Sequence, residues 1–158
     1  MAKGGVGIVL GVALVVVLAS TAFAAATHDE YVSQVNPICK RAAPGLKRIP
    51  SRIRHTGNPF IDSLEESILY GKLLGKALNK IERIPPAPGD EALVAAWIGE
   101  GRSVTRYIKA EFRAFLHGKP KRVKVMIKRI VVHQRRAASY AAALGLTACS
   151  RTRAQGVS

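Results

Sequence analysis

Three long segments of the chain repeat apolar residues at three- to four-residue spacing, and proline or glycine separates each segment from the next. Their limits are marked by Asn58, Pro85, Asp90, Gly118, Lys119 and Gly145. The spacing matches the 3.6-residue period of an amphipathic helix, and no segment alternates convincingly with the two-residue period of a strand. The pattern therefore predicts three amphipathic helices joined by short connections.

One face of each predicted helix carries the apolar residues that we expect in the core. In the first of the three, this face consists of Phe60, Ile61, Leu64, Ile68, Leu74, Leu78 and Ile81. In the second it consists of Leu93, Val94, Trp97, Ile98, Val104, Ile108, Phe112 and Phe115. In the third it consists of Val123, Met126, Ile127, Ile130, Gln134, Ala137, Ala138 and Ala141. Small residues within these helices, Gly71, Gly75, Gly99 and Gly101, predict close approach of a neighbouring helix.

A shorter helix is predicted before these three. Thr27 and Glu30 have the spacing of a capping box, so a helix can begin there. Pro37 interrupts its apolar stripe, which leaves two alternatives: a bent helix, or a short turn followed by a second helix start. Pro44-Gly45 and Pro50 should then end the helical pattern, and a basic linker should follow.

An uninterrupted apolar run precedes the helical region. Residues 4–26 follow Lys3, contain no charged residue and close in small residues that fit the exit of a secretory signal peptide, with cleavage after Ala24 or Ala26. The alternative is an uncleaved membrane anchor, because about 23 residues at ~1.5 Å rise can cross a hydrocarbon core of ~30 Å. Both alternatives place the rest of the chain outside the cytoplasm.

These patterns divide the chain into three parts. We predict a signal peptide or membrane anchor over residues 1–26, an all-α, antiparallel four-helix bundle over residues 27–149, and a basic disordered tail over residues 150–158. The expected location is secreted or extracytoplasmic, with residues 4–26 holding the bundle at the membrane if they are not cleaved.

The only two cysteines, Cys39 and Cys149, lie near opposite ends of the predicted bundle. In an oxidising exterior an isolated pair most often forms one disulfide. Closing a loop of about 110 residues stabilises a fold by about 4–5 kcal/mol in the chain-entropy model. A reactive thiol is the alternative, but no Cys-x-x-Cys motif supports it.

Short motifs at both ends of the predicted bundle occur together. They are Tyr31 ahead of Cys39-Lys40-Arg41-Ala42, Ile84-Pro85-Pro86 ahead of Trp97, and Gly145-Leu146 ahead of Cys149. In these motifs the chain resembles a group of small exported helical proteins of high-GC Gram-positive bacteria. The resemblance implies an exported helical bundle whose first and last helical segments are joined by the cysteine pair. It implies no activity, because the group has none assigned.

The motifs of a metal-binding or haem-binding bundle are missing from the sequence. No glutamate has a histidine three residues later, as di-iron bundles require, and no Cys-x-x-Cys-His motif occurs. The histidines lack the helical spacing of a zinc site and are expected at the surface; they are His28, His55, His117 and His133. Residues 71–76 resemble a phosphate-binding loop only superficially, because they lie inside a predicted helix. We therefore expect no catalytic residue, no metal and no cofactor.

The charge distribution is the feature that points to a function. The chain has 25 Lys and Arg against 10 Asp and Glu, a net charge of +15, and Glu111 is its last acidic residue. The face of the last helix opposite the predicted core carries Val125 and Val132 among seven cations: Lys121, Arg122, Lys124, Lys128, Arg129, Arg135 and Arg136. We predict that this face binds an anionic cell-envelope component, either a wall polymer or an acidic membrane lipid.

Two other interpretations of the chain remain open, and a third, nucleic-acid binding, is not expected. The basic face can simply be solvated without a partner. Nucleic acid is not expected, because export removes the usual target and Tyr140 is the only aromatic residue after Phe115 that could stack on a base. In a different class, the bundle can carry a small apolar ligand or haem between its helices, with Met126 as a haem ligand instead of a core residue.

Overall fold

The computed structural model describes residues 26–150, and all regular secondary structure in this range is helical. The elements in chain order are α1 (His28–Lys47), a 3-10 turn (Pro50–Arg52), α2 (Pro59–Ile81), α3 (Glu91–Leu116), α4 (Pro120–Ala143) and the short α5 (Thr147–Ser150). The prediction of an all-helical protein with four main helices is confirmed. The predicted leader and basic tail lie outside the described residues except for one residue each. Within residues 26–150, no helix is both long and apolar enough to cross a bilayer.

Helix limits follow from local capping chemistry. Thr27 Oγ1 accepts the Glu30 N–H while the Glu30 carboxylate accepts the Thr27 N–H, so the predicted capping box is present. The Asn58 side chain caps α2 by accepting two backbone N–H groups. Gly118 and Gly145, with φ of 62° and 66°, end α3 and α4 in the left-handed conformation that glycine adopts without strain.

The first helix is longer than the sequence predicts. It runs as one element from His28 to Lys47 through both Pro37 and Pro44, so the predicted break at Pro44-Gly45 is wrong. An interior proline costs a helix about 3 kcal/mol. Burial of Tyr31, Val35 and Ile38 on the same helix offsets this cost. Of the two alternatives, the structure therefore contains a continuous helix rather than a second start.

Consecutive long helices pack side by side in opposite directions. Gly71 of α2 lies against Ile108 of α3, and further along α2 Leu78 lies against Gly101. A Cβ atom at Gly71 would lie 3.2 Å from Ile108, and one at Gly101 would lie 3.0 Å from Leu78, so both glycines permit close helix approach.

The close-approach prediction is wrong at two other glycines. A Cβ atom at Gly75 or Gly99 would meet no heavy atom of a neighbouring element within 4 Å. Both positions therefore have room for a side chain, and helix packing does not require glycine there.

Many of the buried apolar residues fall into two clusters of unequal size. The larger one comprises Tyr31, Val35, Ile38, Ile81, Val94, Trp97, Ala141, Leu144 and Leu146. The smaller one comprises Val104, Ile108 and Ile130. We call the region of the larger cluster the disulfide end. The opposite region, formed by the start of α2, the end of α3 and the start of α4, is the hairpin end.

A disulfide joins α1 to the short α5 at the disulfide end. The sulfur atoms of Cys39 and Cys149 are 2.03 Å apart, and the bond closes a sequence separation of 110 residues. The Asn36 side chain also accepts the Ala148 N–H at 3.1 Å, which holds α5 against α1. The predicted pairing is confirmed and is compatible with an extracytoplasmic location. The sequence analysis missed α5 itself.

Four residues predicted to face the core are partly exposed. They are Phe60, Ile61, Phe112 and Ile127, all exposed by 36–39%. The reason is the limited reach of α1, whose Gly45, near its C terminus, packs against Leu73 in the second half of α2. Among residues 26–150, the helices of the hairpin end are therefore α2, α3 and α4, and the linker before α2 is hydrogen-bonded to its start, through Arg54 to Glu65 and Thr56 to Asp62.

Candidate anion-binding surface

The exposed face of α4 carries all seven cations that the sequence analysis singled out. Each of their side chains is exposed: Lys121, Arg122, Lys124, Lys128, Arg129, Arg135 and Arg136. The opposite face is held in the protein by Val123, Met126, Ile130 and Ala141, which are buried. The amphipathic pattern of α4 therefore directs its charge outward, as predicted.

Few acidic groups are available to neutralise this face. α4 contains no Asp or Glu, and none follows Glu111 in the chain. Glu111 itself is 1% exposed and cannot screen a surface charge. Arg136 lies 3.9 Å from Glu100, which is too far for a hydrogen bond. The face consequently keeps a high density of positive charge.

Tyr107 of α3 holds part of the surface in place. Its hydroxyl accepts a hydrogen bond from Arg129 at 3.2 Å, and the Arg129 guanidinium lies 5.4 Å from the ring centroid. The His133 ring stacks on the same tyrosine at 5.1 Å and pairs with Glu100. These contacts fix the side of α4 that faces α3, and the sequence analysis did not anticipate them.

Apolar side chains lie within the cationic face. Val125 and Val132 are separated by seven residues, which is about two turns, and each is 45% exposed. On the helical projection they form a line opposite the buried Ile130, with Lys124 and Lys128 on one side and Arg129 and Arg136 on the other. The face is therefore an apolar stripe between two cationic rows.

Exposed large apolar residues are found on α4 and at the hairpin end. Among the described residues, every large hydrophobic side chain that is at least 36% exposed lies in one of these two places: Phe60, Ile61, Phe112, Leu116, Val125, Ile127 and Val132. Leu116 is the most exposed, at 63%. Single exposed apolar residues are ordinary, but their restriction to one part of a surface often marks an interaction site.

Two buried polar groups lack hydrogen-bond partners within the described residues. They are the Tyr31 hydroxyl and Oε2 of Glu111. Burial raises the pKa of Glu111 to about 7, against a weaker opposing effect from a hydrogen bond with Ser67. Burial, with a smaller contribution from Asp90, raises the pKa of Tyr31 to about 12. Glu111 lies on the same face of α3 as the buried Val104 and Ile108, at helical spacing. This spacing is a sequence signal from which its burial could have been predicted.

Three of the four histidines, His28, His55 and His117, are exposed, as expected. His28 Nδ1 lies 2.6 Å from a carboxylate oxygen of Asp90, the residue that precedes α3 and whose side chain caps no backbone N–H of that helix. The His133 side chain is only 19% exposed. Within residues 26–150, no group of three or more His, Cys, Asp and Glu side chains is arranged to hold a metal ion.

A separate apolar cavity lies between the helices, and none of the seven cations of the α4 face lines it. Its volume is about 520 Å³, and residues from α1, α2, α3, α4 and α5 line it. Trp97 and Val104 of α3, Leu74 of α2 and Ala138 of α4 are among them. The sequence gives no sign of this cavity, because its existence depends on how far apart the helices pack.

Comparisons of the chain with protein-family models, with curated proteins and with solved structures find no match. The features that bear on function are therefore the surface, the charges and the cavity.

Proposed function

We propose that the protein binds acidic membrane lipid through the exposed face of α4. The observation that carries this proposal is the apolar stripe of Val125 and Val132 between two rows of cations. A helix with this arrangement can lie in a membrane interface, where the apolar side chains enter the acyl boundary and the cations contact anionic headgroups.

The exposed apolar residues favour lipid over a wall polymer as the partner. A polyanion needs only positive charge, so it gives no reason for valines in the middle of the cationic face. A membrane interface accommodates Val125 and Val132, and it also accommodates Leu116 and Phe112 at the adjoining hairpin end. Each cation near an acidic membrane surface contributes about 1 kcal/mol, so several acting together give useful affinity.

The test is binding of the full chain to lipid vesicles prepared with and without an acidic phospholipid, measured by co-sedimentation. Comparing the two vesicles removes any contribution that the apolar leader makes to both. We expect preferential binding to the acidic vesicles, weakening steeply as salt is added, because exposed charges are screened. Equal binding to both vesicles would refute the proposal.

A matched pair of variants locates the contact. Substituting Lys124, Lys128 and Arg135 with Gln should lower affinity for acidic vesicles roughly a hundredfold, from about 1 kcal/mol per cation. The control removes three exposed lysines of α2, Lys72→Gln, Lys76→Gln and Lys80→Gln, and so loses the same charge. If both triple variants weaken binding equally, net charge is responsible and the α4 surface is not the site.

A second variant distinguishes between acidic lipid and wall polymer as the partner of the α4 surface. Replacing Val125 and Val132 with Asn should reduce vesicle binding while leaving binding to a soluble anionic polymer such as polyphosphate unchanged. Binding of the wild-type protein to the polymer but not to acidic vesicles would instead assign the surface to a wall polyanion.

A further inference from the structure

The interhelical cavity is a second candidate binding site. It is lined on its α3 side by Trp97, Gly101 and Val104, and α4 contributes Gln134, Ala137 and Ala138 to one wall. The cations of the α4 face do not line it. A ligand in this cavity would therefore occupy a place distinct from the lipid-binding surface.

Small side chains on facing helices leave this space unfilled. Ala42 and Ala43 of α1, Ala77 of α2, and Ala137 and Ala138 of α4 all line the cavity. Well-packed protein interiors contain few voids larger than a water molecule. A volume of about 520 Å³ lies instead in the range of sites that hold small molecules.

The residues that line the cavity indicate that most of the ligand is apolar. Leu73, Leu74, Leu78, Ile81 and Trp97 supply aliphatic and aromatic surface. No histidine or methionine is among the lining residues, and the two lining cysteines are joined as a disulfide. Apart from these cysteines, of the residue types that ligate haem iron only a tyrosine, Tyr70, lines the cavity. The lining therefore fits an organic ligand without a coordinated metal better than it fits haem.

Two lysines at the cavity indicate that the polar group of the ligand is negatively charged. Lys40 and Lys47 of α1 line it and are exposed, and their seven-residue separation places them on the same side of the helix. No aspartate or glutamate lines the cavity. We propose that it binds a single-chain anionic amphiphile, a long-chain carboxylate, with the acyl chain among the aliphatic residues and the carboxylate near these lysines.

Trp97 provides a direct probe, because it is the only tryptophan of the chain and lines the cavity. Long-chain carboxylates of increasing length, kept below their micelle concentrations, should shift its fluorescence saturably. Affinity should rise up to about fourfold per methylene, the factor that corresponds to ~0.8 kcal/mol, until the cavity is filled. Failure of every chain length to saturate the Trp97 signal would overturn the proposal.

A cavity-filling variant tests the location. Ala138→Leu should reduce carboxylate binding at least tenfold, whereas Ala142→Leu, an exposed alanine of the same helix, should leave it unchanged. If Ala138→Leu does not fold, as judged by its thermal transition, Ala77→Leu replaces it from the opposite wall. Unchanged binding in a folded cavity-filling variant would place the ligand elsewhere.

A last comparison tests whether the head group of the ligand is a carboxylate. It also distinguishes binding in the cavity from binding to the α4 surface. The double variant Lys40→Gln and Lys47→Gln should weaken a carboxylate about tenfold and leave the alcohol of the same chain length unaffected. Equal loss for both ligands, or none for either, would refute the carboxylate assignment. The α4 triple variant should bind the carboxylate normally, so loss of vesicle binding and loss of cavity binding are distinguishable.

Discussion

The disulfide end and the hairpin end of this bundle are stabilised in different ways. Nine buried apolar residues and a covalent bond hold the disulfide end. Toward the hairpin end the second cluster has three buried members, and Leu64, Ala114, Val123 and Met126 are buried outside it. A carboxyl group is also buried there without a full set of partners, and large apolar side chains are exposed. We infer that the disulfide end supplies stability, which allows the hairpin end and the adjoining α4 face to carry an interaction surface.

The largest expected effect comes from the covalent bond. Replacing Cys39 and Cys149 together with Ala should lower the free energy of unfolding by about 4–5 kcal/mol, because the unfolded chain regains the freedom that a closure of 110 residues removes. Chemical denaturation measures the loss, and reduction of the wild-type disulfide should reproduce it. An unfolding midpoint that neither change alters would contradict the assignment of stability to this end.

A matched pair of leucines compares packing at the two ends. Leu144 is 0% exposed at the disulfide end, so Leu144→Ala should destabilise the protein by about 3–4 kcal/mol through lost burial and a residual cavity. Leu116 is 63% exposed at the hairpin end, and Leu116→Ala should change stability by no more than about 0.5 kcal/mol. Urea titrations of both variants give these values. Similar losses would mean that the hairpin end is packed more tightly than its exposure indicates.

Glu111 makes the hairpin end sensitive to pH. Its pKa is raised from 4.5 to about 7 by burial, so the folded state binds the proton more tightly than the unfolded chain. The contribution of this carboxyl to stability is therefore greatest below pH 4.5 and declines as the pH rises to about 7. Over this pH range the free energy of unfolding should fall by about 3 kcal/mol because of Glu111.

The variant Glu111→Gln isolates this effect, because its side chain has a similar shape and does not ionise. At pH 8 we expect it to be more stable than the wild-type protein by up to about 3 kcal/mol, with the difference vanishing near pH 4. Urea denaturation across this pH range measures the difference. A constant difference at every pH would contradict the raised pKa, because it would mean that the pKa of Glu111 is the same in the folded and unfolded states.

Sequence patterns predicted the parts of the fold that short-range chemistry determines. The capping box at Thr27, the Asn58 cap and the glycine stops at Gly118 and Gly145 all depend on residues within one helical turn. The pairing of Cys39 with Cys149 also followed, because the chain offers no other partner for either cysteine. The cationic side of α4 could be located from periodicity alone.

The remaining features depend on distant parts of the chain. Pro44 should end a helix by local rules, yet α1 continues past it. Ile127 has the spacing of a core residue but is exposed, because no helix covers its side of the hairpin end. The cavity arises from gaps between five elements, and no single segment records it. Tertiary packing decides each of these outcomes, and periodicity describes only one helix at a time.

The smallest expected effect concerns a buried polar atom, because each end contains one that lacks a hydrogen-bond partner within the described residues. At the disulfide end it is the Tyr31 hydroxyl, which is neutral at physiological pH since burial raises its pKa to about 12. Tyr31→Phe removes an unsatisfied group from a site that is 0% exposed, so it should stabilise the protein by no more than about 1 kcal/mol at pH 7. In the wild-type protein alone, stability should decline as the pH rises above 10, because only the unfolded chain ionises readily there. Urea denaturation at pH 7 and pH 10.5 measures both effects, and a destabilised Tyr31→Phe variant would mean that the hydroxyl has a partner. A neutral hydroxyl is thus tolerated at little cost in the well-packed end, whereas the ionisable carboxyl of Glu111 makes the stability of the hairpin end depend on pH in the physiological range.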